Sequence, residues 1–250
     1  MKISSIVAAA IFCVLTVAAQ ATEIRVVTSP GLSAVFKELG PQFERATGHT
    51  LSFQYGLEAA QKQQISTGEF DLAIVPAHVL DDAIKEGKIV AETRTPVASA
   101  GLSVGIRAGA AKPDVGSVDA FKRAMVAAKS VAYAANESTG RQIAKDFETL
   151  GIAEIIKAKT KPQKTVAQVW QAVAAGDAEI GFSFTSNLLA APGVELAGRF
   201  PSELQYLVTL VGGVGTTANE AAPAKAFINY LLAPEAASVF KAKGLEPPAP

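Results

Sequence analysis

The chain has 250 residues, and its 23 Lys and Arg are balanced by 23 Asp and Glu. That balance gives neither the basic footprint nucleic acid needs nor a polybasic patch for membranes, so both partner classes are excluded. A single cysteine and two widely separated histidines, His49 and His78, exclude a disulfide framework and a Cys/His zinc centre.

Residues 1–21 read as an export signal. Lys2 precedes an almost uncharged apolar run from Ile3 to Val17, and Ala19-Gln20-Ala21 offers a small-x-small cleavage pattern. The run is shorter than the ~20 residues that span a bilayer. Phe12 stands before Cys13 where a lipid-anchor site wants a small residue, so the mature chain is expected to start near Thr22, exported and without its only cysteine.

Short apolar runs and helical patterns then alternate, as in layered α/β proteins. Ile24–Val27 predicts a strand. Leu32, Val35, Phe36, Leu39 and Phe43 give helical spacing over 32–47, stopped by Gly48. Strands are predicted over 51–55 and 71–75, with helices over 59–67 and 79–86 ending at Gly68 and Gly87. This βαβαβα order favours a parallel sheet with right-handed crossovers. After a loop, 102–107 reads as a strand. A second unit follows, with a helix over 118–128, a strand over 130–134, a turn at 136–140, helices over 141–150 and 166–175, and a strand over 179–184. An apolar strand over 205–211 returns the chain, which closes with helices over 222–232 and 234–243. The expected architecture is two Rossmann-like lobes joined by two crossover strands: 22–101 and 205–250 in lobe I, 102–204 in lobe II.

Ligands of open parallel sheets bind beyond the carboxyl ends of the strands, where helix starts present unpaired N–H groups. Three such turns are rich in hydroxyls: Thr28-Ser29-Pro30-Gly31, Ser138-Thr139-Gly140 before Arg141, and Phe184-Thr185-Ser186-Asn187. Each suits an anion, and each also suits simple helix capping. Catalytic signals are sparse: there is no nucleophile elbow, P-loop or dinucleotide fingerprint. Asp81 and Asp82 are adjacent on a helix and point apart, Glu58 reads as a solvated carboxylate, Trp170 as core, and the two histidines as surface or loop residues.

Several stretches carry a resemblance: Phe43-Glu44-Arg45-Ala46-Thr47-Gly48, Ile65-Ser66-Thr67-Gly68-Glu69-Phe70-Asp71, Ala175-Gly176-Asp177-Ala178-Glu179-Ile180-Gly181-Phe182 and Ser238-Val239-Phe240-Lys241-Ala242-Lys243-Gly244. With them the chain resembles the type II periplasmic solute-binding proteins, in particular the molybdate-binding-protein-like group. The resemblance implies a monomeric periplasmic protein without cofactor that holds a small anion between its lobes and hands it to an ABC transporter permease. Carried over by position, the family's ligand groups fall at Gly31, at Glu58 or Ala59, at the amides of Thr139 and Val166, and at Phe184. Three of the family's side-chain hydroxyls are thus missing at their own positions, although Ser29, Ser33, Ser138, Thr139 and Thr185 lie nearby. A hydrogen bond to a charged ligand is worth ~1.5–3 kcal/mol, and micromolar affinity corresponds to ~8 kcal/mol. The expected ligand is therefore an organic carboxylate rather than molybdate, its charge met by the helix starts and Arg141, its carbon skeleton by Leu57 and Phe184. The expected site is Ser29, Gly31, Leu57, Glu58, Ala59, Ser138, Thr139, Gly140, Arg141, Val166, Phe184 and Thr185. Exported isomerases acting on aconitate also resemble this group, which leaves an enzyme open, with Glu58, Tyr55 or Ser138 as base. A sensor subunit presenting the same ligand is a third reading.

Overall fold

A computed structural model describes residues 21–135 and 138–248, with only the backbone of Ser138. All but the last residue of the expected export signal, and Asn136 and Glu137 of the expected turn, lie outside the described residues.

Strands β1 (Glu23–Thr28), β2 (Thr50–Tyr55) and β3 (Leu72–Pro76) pair in parallel with β1 in the middle. The crossovers are α1 (Ser33–Thr47) and α2 (Glu58–Thr67), and α3 (Ala77–Lys85) follows β3. Pro30–Leu32 forms a 3-10 turn, which moves the start of α1 to Ser33. Gly48 and Gly68 end the first two helices at φ +78° and +74°, the left-handed geometry that glycine accepts without a Cβ penalty.

Next comes β4 (Thr95–Arg107), thirteen residues long, where a loop and a six-residue strand were expected. The first half contains Pro96, which has no N–H to give, and the register with the return strand shifts between Pro96 and Ala98. Beyond it lie α4 (Val118–Ala127), β5 (Val131–Tyr133), α5 (Ser138–Thr149), α6 (Ala153–Lys159), β6 (Thr160–Pro162), α7 (Val166–Ala175), β7 (Ile180–Phe184), α8 (Thr185–Leu189) and β8 (Val194–Arg199). The chain closes through β9 (Leu207–Val214), α9 (Ala221–Leu231), α10 (Pro234–Ala242) and β10 (Leu245–Glu246). Elements α6, β6, β8 and β10 had no counterpart in the sequence reading.

Neighbouring strands run β2-β1-β3-β9-β4-β7-β5-β6, with β8 and β10 both on β4. Separate cores cover the two ends. Val26, Phe36, Phe43, Leu72, Phe227 and Phe240 pack on one half; Val104, Phe121, Phe147, Phe182 and Phe200 pack on the other. Each fully buried side chain of this size contributes ~1.5–3 kcal/mol, so each half has a core of its own. Trp170 is buried, as expected, against Gly181 and Gly105, where an added Cβ would lie 2.7 and 2.5 Å from its ring.

One carboxylate ties the first half together. The buried Asp71 accepts from the Arg25 backbone N–H at 2.9 Å and its Nε at 3.1 Å, and from the N–H groups of Asn219 and Glu220. Burial alone would raise its pKa, but the Arg25 bonds and charge and the Glu220 N–H outweigh this and hold it below the usual carboxylate value.

Pairing changes partner at one peptide. Thr95–Gly101 of β4 pairs with β9, and from Leu102 onward the strand pairs with β7 and β8. We infer that the lobes meet here. Gln205, just before β9, accepts from Leu102 N–H with Oε1 at 2.6 Å and donates from Nε2 to Leu102 O at 3.2 Å. The Thr185 hydroxyl donates to Gly101 O at 3.2 Å. Side chains therefore satisfy the backbone at the switch, where Leu102 is fully buried. The return strand begins at Leu207 and pairs with β3 and with the first half of β4. Replacing Gln205 with Leu orphans the Leu102 N–H and is expected to cost about 1–3 kcal/mol in chemical denaturation; an unchanged stability would contradict the bridging role.

Candidate functional site

The carboxyl ends of β1, β2 and β3 in lobe I, and of β5 and β7 in lobe II, open onto one cleft of about 600 Å³. Lobe I lines it with Ser29, Pro30 and Gly31, with Gly56 through Ala59, Gln61 and Lys62, and with Pro76 and His78. Lobe II faces these with Thr139 and Arg141 of α5, Val166 at the start of α7, and Phe184, Ser186 and Asn187 around the start of α8. The switch region supplies the floor: Ala100, Tyr206, Val208, Leu210 and Leu245.

Nine of the twelve expected residues meet here: Ser29, Gly31, Leu57, Glu58, Ala59, Thr139, Arg141, Val166 and Phe184. Of the other three, Gly140 and Thr185 are placed differently. Ser138 opens α5, so 138–140 form a helical first turn instead of preceding one, and its side chain lies outside the described residues. Gly140 serves close packing: a Cβ there would come 2.0 Å from Ala134 O. Thr185 is buried, does not line the cleft, and spends its hydroxyl on Gly101 O.

The expected site did not include Gln61, Lys62, His78 or the floor residues, while Ser186 and Asn187 stood in the expected hydroxyl-rich turn after β7 without being named as ligand residues. Gln61 and Lys62 lie three and four residues past the expected Glu58, so helical spacing from it was the available signal, whereas His78 follows no expected position. His78 is exposed, as the sequence suggests, and it is also paired. Its Nε2 stands 3.2 Å from Glu58 Oε2, and Lys62 Nζ stands 3.3 Å from Glu58 Oε1. The hydrogen bond from His78, opposed by burial and helped by Lys62, holds the Glu58 carboxyl below its ordinary value. Lys62 also reaches Asp82 at 3.3 Å, while Asp81 pairs with Arg94, so the two adjacent aspartates do point apart.

The cleft is otherwise largely apolar. Leu57 is 60% exposed at its mouth, an orientation a core leucine would not take. Phe184 stacks on Tyr206 with centroids 6.4 Å apart and planes at 19°. The position where the resemblance expects a tyrosine thus holds a plain ring, and a phenol stands beside it from another part of the chain.

Two parallel-stranded lobes joined by crossing segments, with a cleft over their strand ends, are the type II periplasmic binding architecture. The profile of the bacterial extracellular solute-binding proteins matches residues 24–246, and the chain belongs to that family. It is 27% identical over 235 residues to the aconitate isomerase of a Pseudomonas species, covering 90% of this chain and 88% of that one. It is 30% identical over 243 residues to the molybdate-binding protein ModA of Azotobacter vinelandii, covering 92% of each. The solved periplasmic molybdate-binding protein of Azotobacter vinelandii superposes with a TM-score of 0.71 at 19% identity, over 90% of this chain and 100% of that one.

Because His78 is the largest influence on Glu58, replacing it with Asn is expected to move the Glu58 titration upward toward the normal carboxylate range. Carboxyl-carbon NMR through an acid titration measures this; an unmoved Glu58 would contradict the pairing.

Proposed function

We propose that the protein is a periplasmic carrier that closes around a small organic anion and delivers it to the permease of an ABC importer. The observation that carries this reading is the composition of the cleft wall. Arg141, Lys62 and the helix starts of α2, α5 and α7 supply positive potential. Leu57, Phe184, Val208, Leu210 and Leu245 supply apolar surface that a bare metal oxyanion has no use for. A volume of about 600 Å³ falls within the ~300–1,000 Å³ of organic-ligand pockets. An arginine fork suits a carboxylate, which it can meet with two parallel bonds. Closure requires only that the ligand bind the closed arrangement more tightly than the open one.

The expected outcome of a thermal-shift screen is stabilisation by di- and tricarboxylates, ~2.7 kcal/mol at a hundredfold excess over Kd, and none by molybdate. Stabilisation by molybdate alone would overturn the organic ligand.

The likeness to an aconitate isomerase favours a second reading, catalysis in the same cleft. Moving a double bond in an unsaturated tricarboxylate takes a proton from one carbon and returns it at another, with no co-reactant. Of the bases weighed from sequence, Glu58 lines the cleft; Tyr55 does not, and burial raises its phenol further from neutrality. His78 beside Glu58 completes a proton-transfer pair. In this reading cis-aconitate incubated in D2O yields the trans isomer with deuterium uptake by proton NMR, and His78→Asn abolishes turnover while the ligand still binds. Binding with no exchange leaves the carrier.

A further inference from the structure

We infer that Ser29 of lobe I and Ser186 of lobe II form a two-hydroxyl clamp around Gly31 that takes one carboxylate of the ligand, with Gln61 as the residue that sets its polarity. The inference rests on the cleft being an anion site.

Gln61 is 1% exposed and reaches back from α2. Its Nε2 donates to Gly56 O at 2.7 Å and to Ser29 Oγ at 2.9 Å. The contact with Gly56 fixes the amide orientation, since a carbonyl needs a donor and the flipped amide would set oxygen against oxygen. Ser29 Oγ must therefore accept from Gln61, and its own proton is left to give. Ser29 does not use that proton or its lone pairs to cap the following turn. Gln61 makes Ser29 a donor into the cleft, which favours ligand atoms that only accept.

Ser186 supplies the partner from the other lobe. It is 5% exposed, and its Oγ has no hydrogen-bond partner among the described residues. Gly31 is the point of approach, for a Cβ built there would lie 3.5 Å from Ser186 Oγ. Both hydroxyls belong to residues that line the cleft, one held as a donor and one without a partner among the described residues. A planar carboxylate has two oxygens and accepts from both. It would thereby link the lobes and satisfy a buried hydroxyl that otherwise has nothing to bond.

The test uses the full mature protein with citrate, cis-aconitate and molybdate as probes, by calorimetry and thermal melting. Ser186→Ala is expected to leave the unliganded melting temperature unchanged, because the hydroxyl has no bond to lose. It should weaken the best-bound tricarboxylate about tenfold or more, as should Ser29→Ala. Ser186→Thr, which keeps the hydroxyl, should retain tighter binding than Ser186→Ala. Gln61→Leu should weaken binding in the wild-type background and add no further loss in Ser29→Ala, because it acts through that hydroxyl. Unchanged dissociation constants in both alanine variants of a protein that binds a tricarboxylate would overturn the clamp while leaving the carrier reading intact. An equal Gln61→Leu loss with and without Ser29 would overturn the role of Gln61. A wild-type protein that binds none of the three probes removes the anion site and the clamp with it.

Discussion

A single strand shared by two sheets governs the rest of the molecule. Because β4 pairs with β9 up to Gly101 and with β7 and β8 from Leu102, both lobes hang from one extended segment. A change of partner leaves buried backbone groups that no ladder serves, and a buried N–H without a partner is costly. Gln205 answers this by presenting a side-chain amide where a neighbouring strand would present a peptide. Thr185 does the same for the Gly101 carbonyl. The same arrangement turns the strand ends of both lobes toward one space, so the cleft is a consequence of the switch.

Within the cleft the signs of charge are mixed, and the balance is decided by pairing. Glu58 would repel an anion if it stood alone. Among the described residues it is instead engaged by His78 and Lys62. The hydroxyls tell a related story. Counting them only at the positions of a resembling family suggests a depleted site, because Gly31 and Phe184 carry none. The folded chain sets Ser186 beside Gly31 and Tyr206 beside Phe184, from other segments. Missing hydroxyls are therefore weak grounds for rejecting molybdate. The apolar floor of Val208, Leu210 and Leu245 and the size of the space are the stronger grounds for a ligand with carbon in it.

Local signals made most of the fold legible. Helical spacing of Val35, Phe36, Leu39 and Phe43, and glycines at 48, 68, 176 and 244 in the left-handed region, mark elements through neighbours a few residues away. Elements stabilised by distant partners were silent. The first half of β4 carries Pro96 at an irregular register, β8 shows no clean alternation, and two-residue β10 exists only because Ser99 and Ala100 accept it. The site divides the same way. Ser29, Glu58, Thr139 and Val166 sit at helix starts and could be read as such. Gln61 matters through a bond to a residue 32 positions away, which no local pattern encodes; Ser186 stood in a hydroxyl-rich turn, but its approach to Gly31, 155 positions away, has no local signal.

Selection of an organic anion by this cleft is what we propose. Native mass spectrometry of the protein, purified without added ligand and then denatured, tests it most directly. The account predicts release of a carboxylic acid with one to three carboxyl groups. A retained metal oxyanion, or a neutral solute, would contradict it.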